Sequence, residues 1–345
     1  MRKRYFIEIS FMMKLTLLYY TKLFINRHVP YPAEDSSGND IIRKSKTGSP
    51  AGARTGLRVS LEGRMWENDR TERNGRMEKE GMGIKLAAID LDGTLLHDDM
   101  SISDRSKEAI HRAMERGIRI VIATGRMWRS AQIQVNLLGL GNVPVVCYTG
   151  SWIKMSESGE TLLQEGLEPA LASEILQEGR KQGWHATFFA EDRIYMDKPD
   201  GTEEKYKKYR AVFPEFIGEA FYFPKQPVTR VVFSEPDEEK RKTMREILDK
   251  KFAARADIVY PGDDFIDLHK KGVSKASAVS FLMRKWGIRP EETAAFGNTE
   301  NDVPLLQLAR FSYAVANAEP DAREAARYIC GSNEEDGVAE ILEGL

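Results

Sequence analysis

The sequence predicts an α/β fold: a parallel sheet core with helices on both faces, plus an inserted α/β domain. Two observations carry this expectation. Short apolar runs at 84–89, 118–123, 143–148, 293–296 and 312–315 end in small or polar residues, and helical periodicity fills much of the chain between them. Between the third and fourth runs the pattern changes character, then the first pattern resumes. The expected organisation is a leader over 1–83, a first core segment over 84–164, an insertion over 165–262 and a second core segment over 263–345.

A chain of 345 residues is long enough for about two domains with a substantial core. The net charge of −2 and a pI near 6.3 give no reason to expect a nucleic-acid partner. The leader is basic, with 16 Lys and Arg against 10 Asp and Glu, and the remainder is acidic. Tyr5 to Ile25 is apolar and aromatic, but Glu8, Lys14 and Lys22 interrupt it. A membrane span of roughly 20 residues does not normally tolerate such charges, so no membrane anchor is expected. Arg2-Lys3-Arg4 imitates the start of a signal peptide, yet no small-residue cleavage site follows. Residues 33–83 have the Gly, Ser, Arg and Glu content of a disordered linker; a translation start at Met77 or Met82 is the alternative. The two cysteines, Cys147 and Cys330, fit buried thiols in a reducing compartment, so a cytoplasmic location is expected.

The first apolar run, Ile84 to Ile89, reads as a strand inside a parallel sheet. Ser101 to Gly117 carries Ala109, Ile110, Ala113 and Met114 at helical spacing, with Gly117 placed to end the helix. The second strand ends in Thr124-Gly125-Arg126 and the third in Thr149-Gly150-Ser151. Inside the insertion, 169–182 and 238–251 read as helices, and 186–189, 193–196 and 228–233 as strands. Glu203 to Arg210 reads as a solvated helix face. His185 and Asp197 are read as structural, and Trp184, Phe188, Phe189, Phe221, Tyr222 and Phe223 as core. After the insertion, Ser274 is placed to cap a helix beginning near Lys275, with Ala278, Val279 and Leu282 on its apolar face. The last two strands end in Gly297-Asn298-Thr299-Glu300-Asn301-Asp302 and Ala316-Asn317-Ala318.

Parallel strands gather their carboxyl ends along one edge, where open α/β sheets bind ligands. The first strand delivers Asp90-Leu91-Asp92-Gly93-Thr94 to that edge. Packing does not explain two carboxylates there. A carboxylate beside a hard cation such as Mg2+ can bind it through oxygen and, with a phosphoryl group present, attack phosphorus. The plain alternative is an Asp-Gly turn. A lysine at a helix start suits phosphate and can hold a neighbouring carboxylate ionised, which singles out Lys275, with Lys270 and Lys271 as rivals.

Taken together, Asp90-Leu91-Asp92-Gly93-Thr94, Thr124, Lys275 and Gly297 to Asp302 resemble the four-motif series of the haloacid dehalogenase-like hydrolases. The large insertion, Gly-Val-Ser-Lys after it and Glu335-Asp336-Gly337-Val338-Ala339 near the end are similar to the Cof-type sugar-phosphatase branch. The resemblance covers about residues 84–345. It implies a Rossmann-like core with an α/β cap, and a Mg2+-dependent phosphatase acting on a small phosphorylated metabolite. Asp90 is then the nucleophile that becomes an aspartyl phosphate, and Asp92 the general acid and base. Thr124 and Lys275 complete the catalytic set. Gly125 and Asn301 join Asp90, Thr124 and Lys275 as expected phosphate-binding residues, and Asp90, Asp92 (through its carbonyl), Asn298 and Asp302 are the expected metal ligands.

Three departures stand out. Asn298 occupies the place of an acid, which removes one anionic ligand and implies weaker Mg2+ binding with Asp302 taking more of the charge. Thr149-Gly150-Ser151 replaces the more usual Asn-Gly-Ala, and Ala276 replaces a Gly. A phosphomutase-like phosphotransferase, and a binding module weakened by Asn298, are the alternative readings. Arg126 is a candidate for pocket electrostatics, or else an ordinary ion pair. Oligomeric state and substrate identity are not set by these residues.

Overall fold

The computed structural model describes residues 83–203, 213–260 and 264–345. The expectations for the leader, and for the charged run beyond residue 203, lie outside the described residues. In chain order the main elements are β1 (Leu86–Ile89), α1 (Asp104–Glu115), β2 (Arg119–Ala123), α2 (Trp128–Leu138), β3 (Pro144–Cys147), β4 (Trp152–Met155) and β5 (Thr161–Gln164). Then come α3 (Pro169–Gln182), β6 (His185–Ala190), β7 (Arg193–Met196), β8 (Glu215–Phe216), β9 (Arg230–Ser234), α4 (Glu238–Phe252), β10 (Ala256–Val259) and β11 (Phe265–Lys270). The chain finishes with α5 (Lys275–Trp286), β12 (Thr293–Gly297), α6 (Val303–Leu308), β13 (Phe311–Ala314), α7 (Pro320–Ala325), β14 (Tyr328–Ile329) and α8 (Gly337–Gly344).

One sheet has the order β14-β13-β12-β1-β2-β3-β4-β5. Strands β14 through β3 are parallel, while β4 and β5 add an antiparallel edge. Successive residues of β1 face opposite sides, so a strand buried on both sides needs cover on both. Ala87 and Ile89 pack with Ala109, Ile110 and Ala113 of α1, Val135 of α2 and Leu342 of α8. Leu86 and Ala88 pack with Ala278, Val279 and Leu282 of α5 and Leu305 of α6. The order also explains the site's position. The chain leaves β1 towards β2 and β3 on one side and later returns to β12 on the other, so the crevice opens beyond the carboxyl end of β1.

The second sheet, β10-β11-β9-β6-β7-β8, is mostly antiparallel. Because β11 pairs with β9 and β10, this sheet runs to Lys270, past the boundary at 262 expected from the sequence. Phe188, Val231, Phe233 and Ile266 point to α3 and α4, where Ile175, Leu176, Met244 and Leu248 cover them. Residues of opposite parity, Phe189 and Val232, join the core of the first sheet beside Tyr148 and Trp152. One face of the insertion therefore roofs the crevice.

Candidate active site

The carboxyl end of β1 is held against β12 by Asp90 N donating to Phe296 O (3.1 Å), which brings Asp90 alongside the Gly297-Asn298 turn. After Asp92 the chain reverses at Gly93 with φ +68°. A Cβ at Gly93 would stand 2.5 Å from Asn298 Nδ2, so glycine is needed for both conformation and space. Thr94 Oγ1 donates to Asn298 Oδ1 (3.2 Å), and Asn317 Nδ2 donates to Gly93 O (2.8 Å). Two later strand ends thus clamp the first.

Lys275 is the first residue of α5. Ser274 caps that helix by accepting from Ser277 N (3.1 Å), and Ser277 Oγ accepts in return from Ser274 N (2.9 Å). The helix start reaches the site because Gly150, at φ +111°, lets the β3 loop approach so closely that a Cβ there would lie 2.1 Å from Ser274 O. Lys275 is 1% exposed; its Nζ donates to Asp90 Oδ1 (2.7 Å) and Asp302 Oδ1 (2.6 Å). Burial opposes the ammonium charge, but the carboxylates of Asp302 and Asp90 outweigh it and hold Lys275 above its ordinary pKa. Asp90 is pushed up to about 7: burial raises it, Lys275 opposes, and the charges of Asp302 and Asp92 add to the rise.

Asp302 uses both oxygens. Its Oδ2 accepts from Asn298 N (2.9 Å) and Thr299 N (3.1 Å), while Oδ1 holds Lys275. It thereby shapes the turn that presents Asn298 and fixes the lysine. The expectation that Asp302 serves as a main anionic metal ligand meets this commitment: it lies fully buried, and it does not line the cavity above Asp90. Thr124 is also fully buried, its Oγ1 accepting from Arg126 N (3.1 Å), while Gly125 and Arg126 of that turn stand at the cavity wall. Asn301 lines the cavity as well. Lys270 pairs with Glu165 and Lys271 with Asp257, so neither rival reaches Asp90.

Asp92 stands at the cavity rim and meets Arg126. Arg126 Nε donates to Asp92 Oδ2 (2.7 Å) and Nη2 to Oδ1 (2.5 Å), a bidentate fork. The cavity of about 360 Å³ takes its floor from Asp90, Asp92, Lys275 and Asn298 and its roof from Phe189, Arg230, Val232, Phe265 and Asp267.

Residues 87–342 match the description of a haloacid dehalogenase-like hydrolase family. The chain belongs to that family. A 5-amino-6-(5-phospho-D-ribitylamino)uracil phosphatase of Bacillus subtilis is 28% identical over 266 residues, which cover 77% of this chain and 97% of that one. An HMP-PP phosphatase of Serratia proteamaculans is 27% identical over 266 residues, 75% of this chain and 94% of its own. The crystal structure of a haloacid dehalogenase-like hydrolase from Bacteroides thetaiotaomicron superposes with a TM-score of 0.67 at 26% identity, covering 75% of this chain and 98% of that one. This hydrolase is a phosphoric monoester hydrolase, and the likeness to the Cof-type branch read from its motifs stands with the match.

Sequence reasoning missed part of the hydrolase's pocket. Arg230 and Asp267 carried a usable signal, each being a charged residue beside apolar strand residues, Val231 to Phe233 and Phe265, Ile266 and Leu268. Arg230 Nη1 donates to Asp267 Oδ2 (2.7 Å) and reaches Gly125 O (3.3 Å). Phe189, read as core, is 2% exposed and also lines the cavity. His185 pairs with Asp200 (2.8 Å) and Asp197 accepts from Tyr222 Oη (2.9 Å). No described helix is long and apolar enough to cross a membrane.

Proposed function

We propose that the chain hydrolyses a small phosphorylated metabolite through an aspartyl phosphate on Asp90, with Mg2+ bound beside it and the second sheet acting as a cap. The observation that carries this reading is the buried Asp90–Lys275–Asp302 relay, with Asp92 at the open rim two residues on. Asp90 carboxylate oxygen forms a bond to phosphorus while the bond from phosphorus to the leaving oxygen breaks, and that oxygen takes a proton from Asp92. In the second half, Asp92 takes a proton from water, which attacks phosphorus and frees Asp90. Arg126 forks onto both oxygens of the Asp92 carboxylate, and in this proposal the fork opens when Asp92 exchanges a proton with the leaving group or with water. Lys275, Gly125 and Asn301 surround the place where the phosphoryl oxygens would sit, so charge is met without reorganisation.

The donor set supports a divalent cation. Three acids, Asp90, Asp92 and Asp302, face two cations, Lys275 and Arg126; the pKa of Asp90 is raised first by burial, against Lys275, with the charges of Asp302 and Asp92 adding to the rise. Among the described residues no cluster of three or more His, Cys, Asp or Glu side chains is arranged around one point, so the shell proposed is mixed: the Asp90 carboxylate, the Asp92 carbonyl and the Asn298 amide oxygen. Mg2+ bound there would neutralise phosphoryl charge. The buried free thiols of Cys147 and Cys330 support a cytoplasmic setting. A Mg2+-dependent assay over a panel of phosphomonoesters tests the proposal. Turnover that vanishes in Asp90→Asn is expected; equal rates in Asp90→Asn and the wild type would sink it.

A further inference from the structure

Where the insertion meets the core beside the cavity, both backbones are strained. The chain leaves β3 through Tyr148, Thr149 and Gly150 at φ +50°, +55° and +111°, and for the first two, which are not glycine, a left-handed backbone is unfavourable. The β6–β7 hairpin of the insertion turns through Glu191 and Asp192 at φ +52° and +58°, positions that such a turn normally gives to Asn and Gly. The strained segments grip each other. Tyr148 Oη donates to Asp192 Oδ1 (2.9 Å). Arg129, at the start of α2, donates to the same carboxylate through Nε (3.2 Å, to Oδ2) and through its backbone N–H. Tyr148 is fully buried and Asp192 is 6% exposed. The rings of Trp152 and Phe189 meet that of Tyr148 edge-on, with centroids 5.6 and 5.9 Å away.

Neither Tyr148 nor Asp192 lines the cavity, yet each holds residues that do or that lead to them. Tyr148 N donates to Arg126 O (2.9 Å) and Thr149 N to Thr124 O (3.1 Å), so the loop pins both ends of the Thr124-Gly125-Arg126 turn. Gly150, next along, lies against Ser274 O just ahead of Lys275. Asp192, by holding Arg129, also fixes the start of the helix that follows Arg126. Left to itself, a Tyr-Thr pair relaxes out of the left-handed region, and that rotation turns away the peptide groups that make these bonds. The strain and a buried hydrogen bond to a carboxylate are of the same order, so the Tyr148–Asp192 bond is large enough to hold the loop. Resting on the reading of Asp90 as nucleophile, we propose that Asp192 is a positioning residue for the reaction. From the insertion it holds Tyr148 in place, and the strained loop then keeps Gly125 and Lys275 set around Asp90.

The test follows turnover of 4-nitrophenyl phosphate by the full chain with Mg2+, at a temperature where circular dichroism shows every variant folded, together with amide hydrogen exchange at Tyr148 and Thr149. Tyr148→Phe removes one hydroxyl from an otherwise unchanged ring. Asp192→Gly removes the carboxylate while easing the hairpin's own backbone. Asp192→Asn keeps an oxygen for Tyr148 Oη and a residue that tolerates the left-handed region; the Arg129 side chain, 57% exposed, then turns to water. Tyr148→Phe and Asp192→Gly should each lower kcat by about ten-fold or more, the scale set by misplaced catalytic groups. The double variant should be no slower than the worse single one, because both remove one contact, and Asp192→Asn should restore most of the rate. Exchange at Tyr148 and Thr149 should quicken about ten-fold in the two slow variants while the amides of β1 keep wild-type rates. Wild-type kcat in folded Tyr148→Phe and Asp192→Gly overturns the proposal, as do unchanged exchange in the loop or an Asp192→Asn as slow as Asp192→Gly. Absent turnover in the wild type removes the nucleophile reading of Asp90, whereas quickened exchange in the variants still supports the hold of Asp192 on the loop.

Discussion

His269→Leu should flatten the acid side of the protein's stability curve while leaving neutral stability intact. His269 lies in β11, 1% exposed, and neither ring nitrogen has a hydrogen-bond partner among the described residues. Burial pushes its pKa down to about 4, with Asp267 opposing and Arg230 adding to the fall. The unfolded chain restores a value near 6.5 and so binds more protons between these limits. Stability attached to this residue is therefore complete above about pH 6.5 and declines as pH falls towards 4. The gap corresponds to about 3 kcal/mol at its lower end. Leucine has similar volume and no polar atom, so the change at pH 7.5 should be within about 1 kcal/mol. Urea unfolding of both proteins at pH 7.5, 6 and 5 measures the difference, and carboxylates common to both cancel. A parallel decline in the two proteins would refute the argument, and so would a loss of several kcal/mol at pH 7.5.

Other substitutions probe the site. Lys275→Met leaves Asp90 and Asp302 buried without their cation and should cost about 3–5 kcal/mol in urea unfolding, along with turnover; a change below 1 kcal/mol would show that the acids find other partners. Gly150→Ala should cost about 2–4 kcal/mol and lower kcat, because its Cβ would meet Ser274 O at 2.1 Å and displace the helix bearing Lys275; unchanged kinetics would contradict that. Asn298→Asp should reduce the Mg2+ concentration for half-maximal rate by about ten-fold, as expected of an added anionic ligand, and a titration with the same midpoint as wild type would count against Asn298 as a ligand.

The sequence by itself determined the parallel core and much of its chemistry, because these are local signals. Leu86 to Ile89 alternates between two buried faces, Ser274 caps its own helix, and Asp90 and Asp92 need only a strand end and Gly93 to reach one crevice. The tertiary structure decided which partners each acid meets. Asp302 looked like a free ligand in a motif, yet both of its oxygens are committed to Lys275 and to its own turn. Arg126 could have been any surface arginine until the fold placed it on both oxygens of Asp92. The roof was least legible of all. Arg230 and Asp267 are 37 residues apart, and only the pairing of β9 with β11 places them side by side. Their opposition to Asp90 depends on which face of the insertion packs against the core, and that is fixed by long-range burial of Phe189 and Val232 rather than by any spacing along the chain.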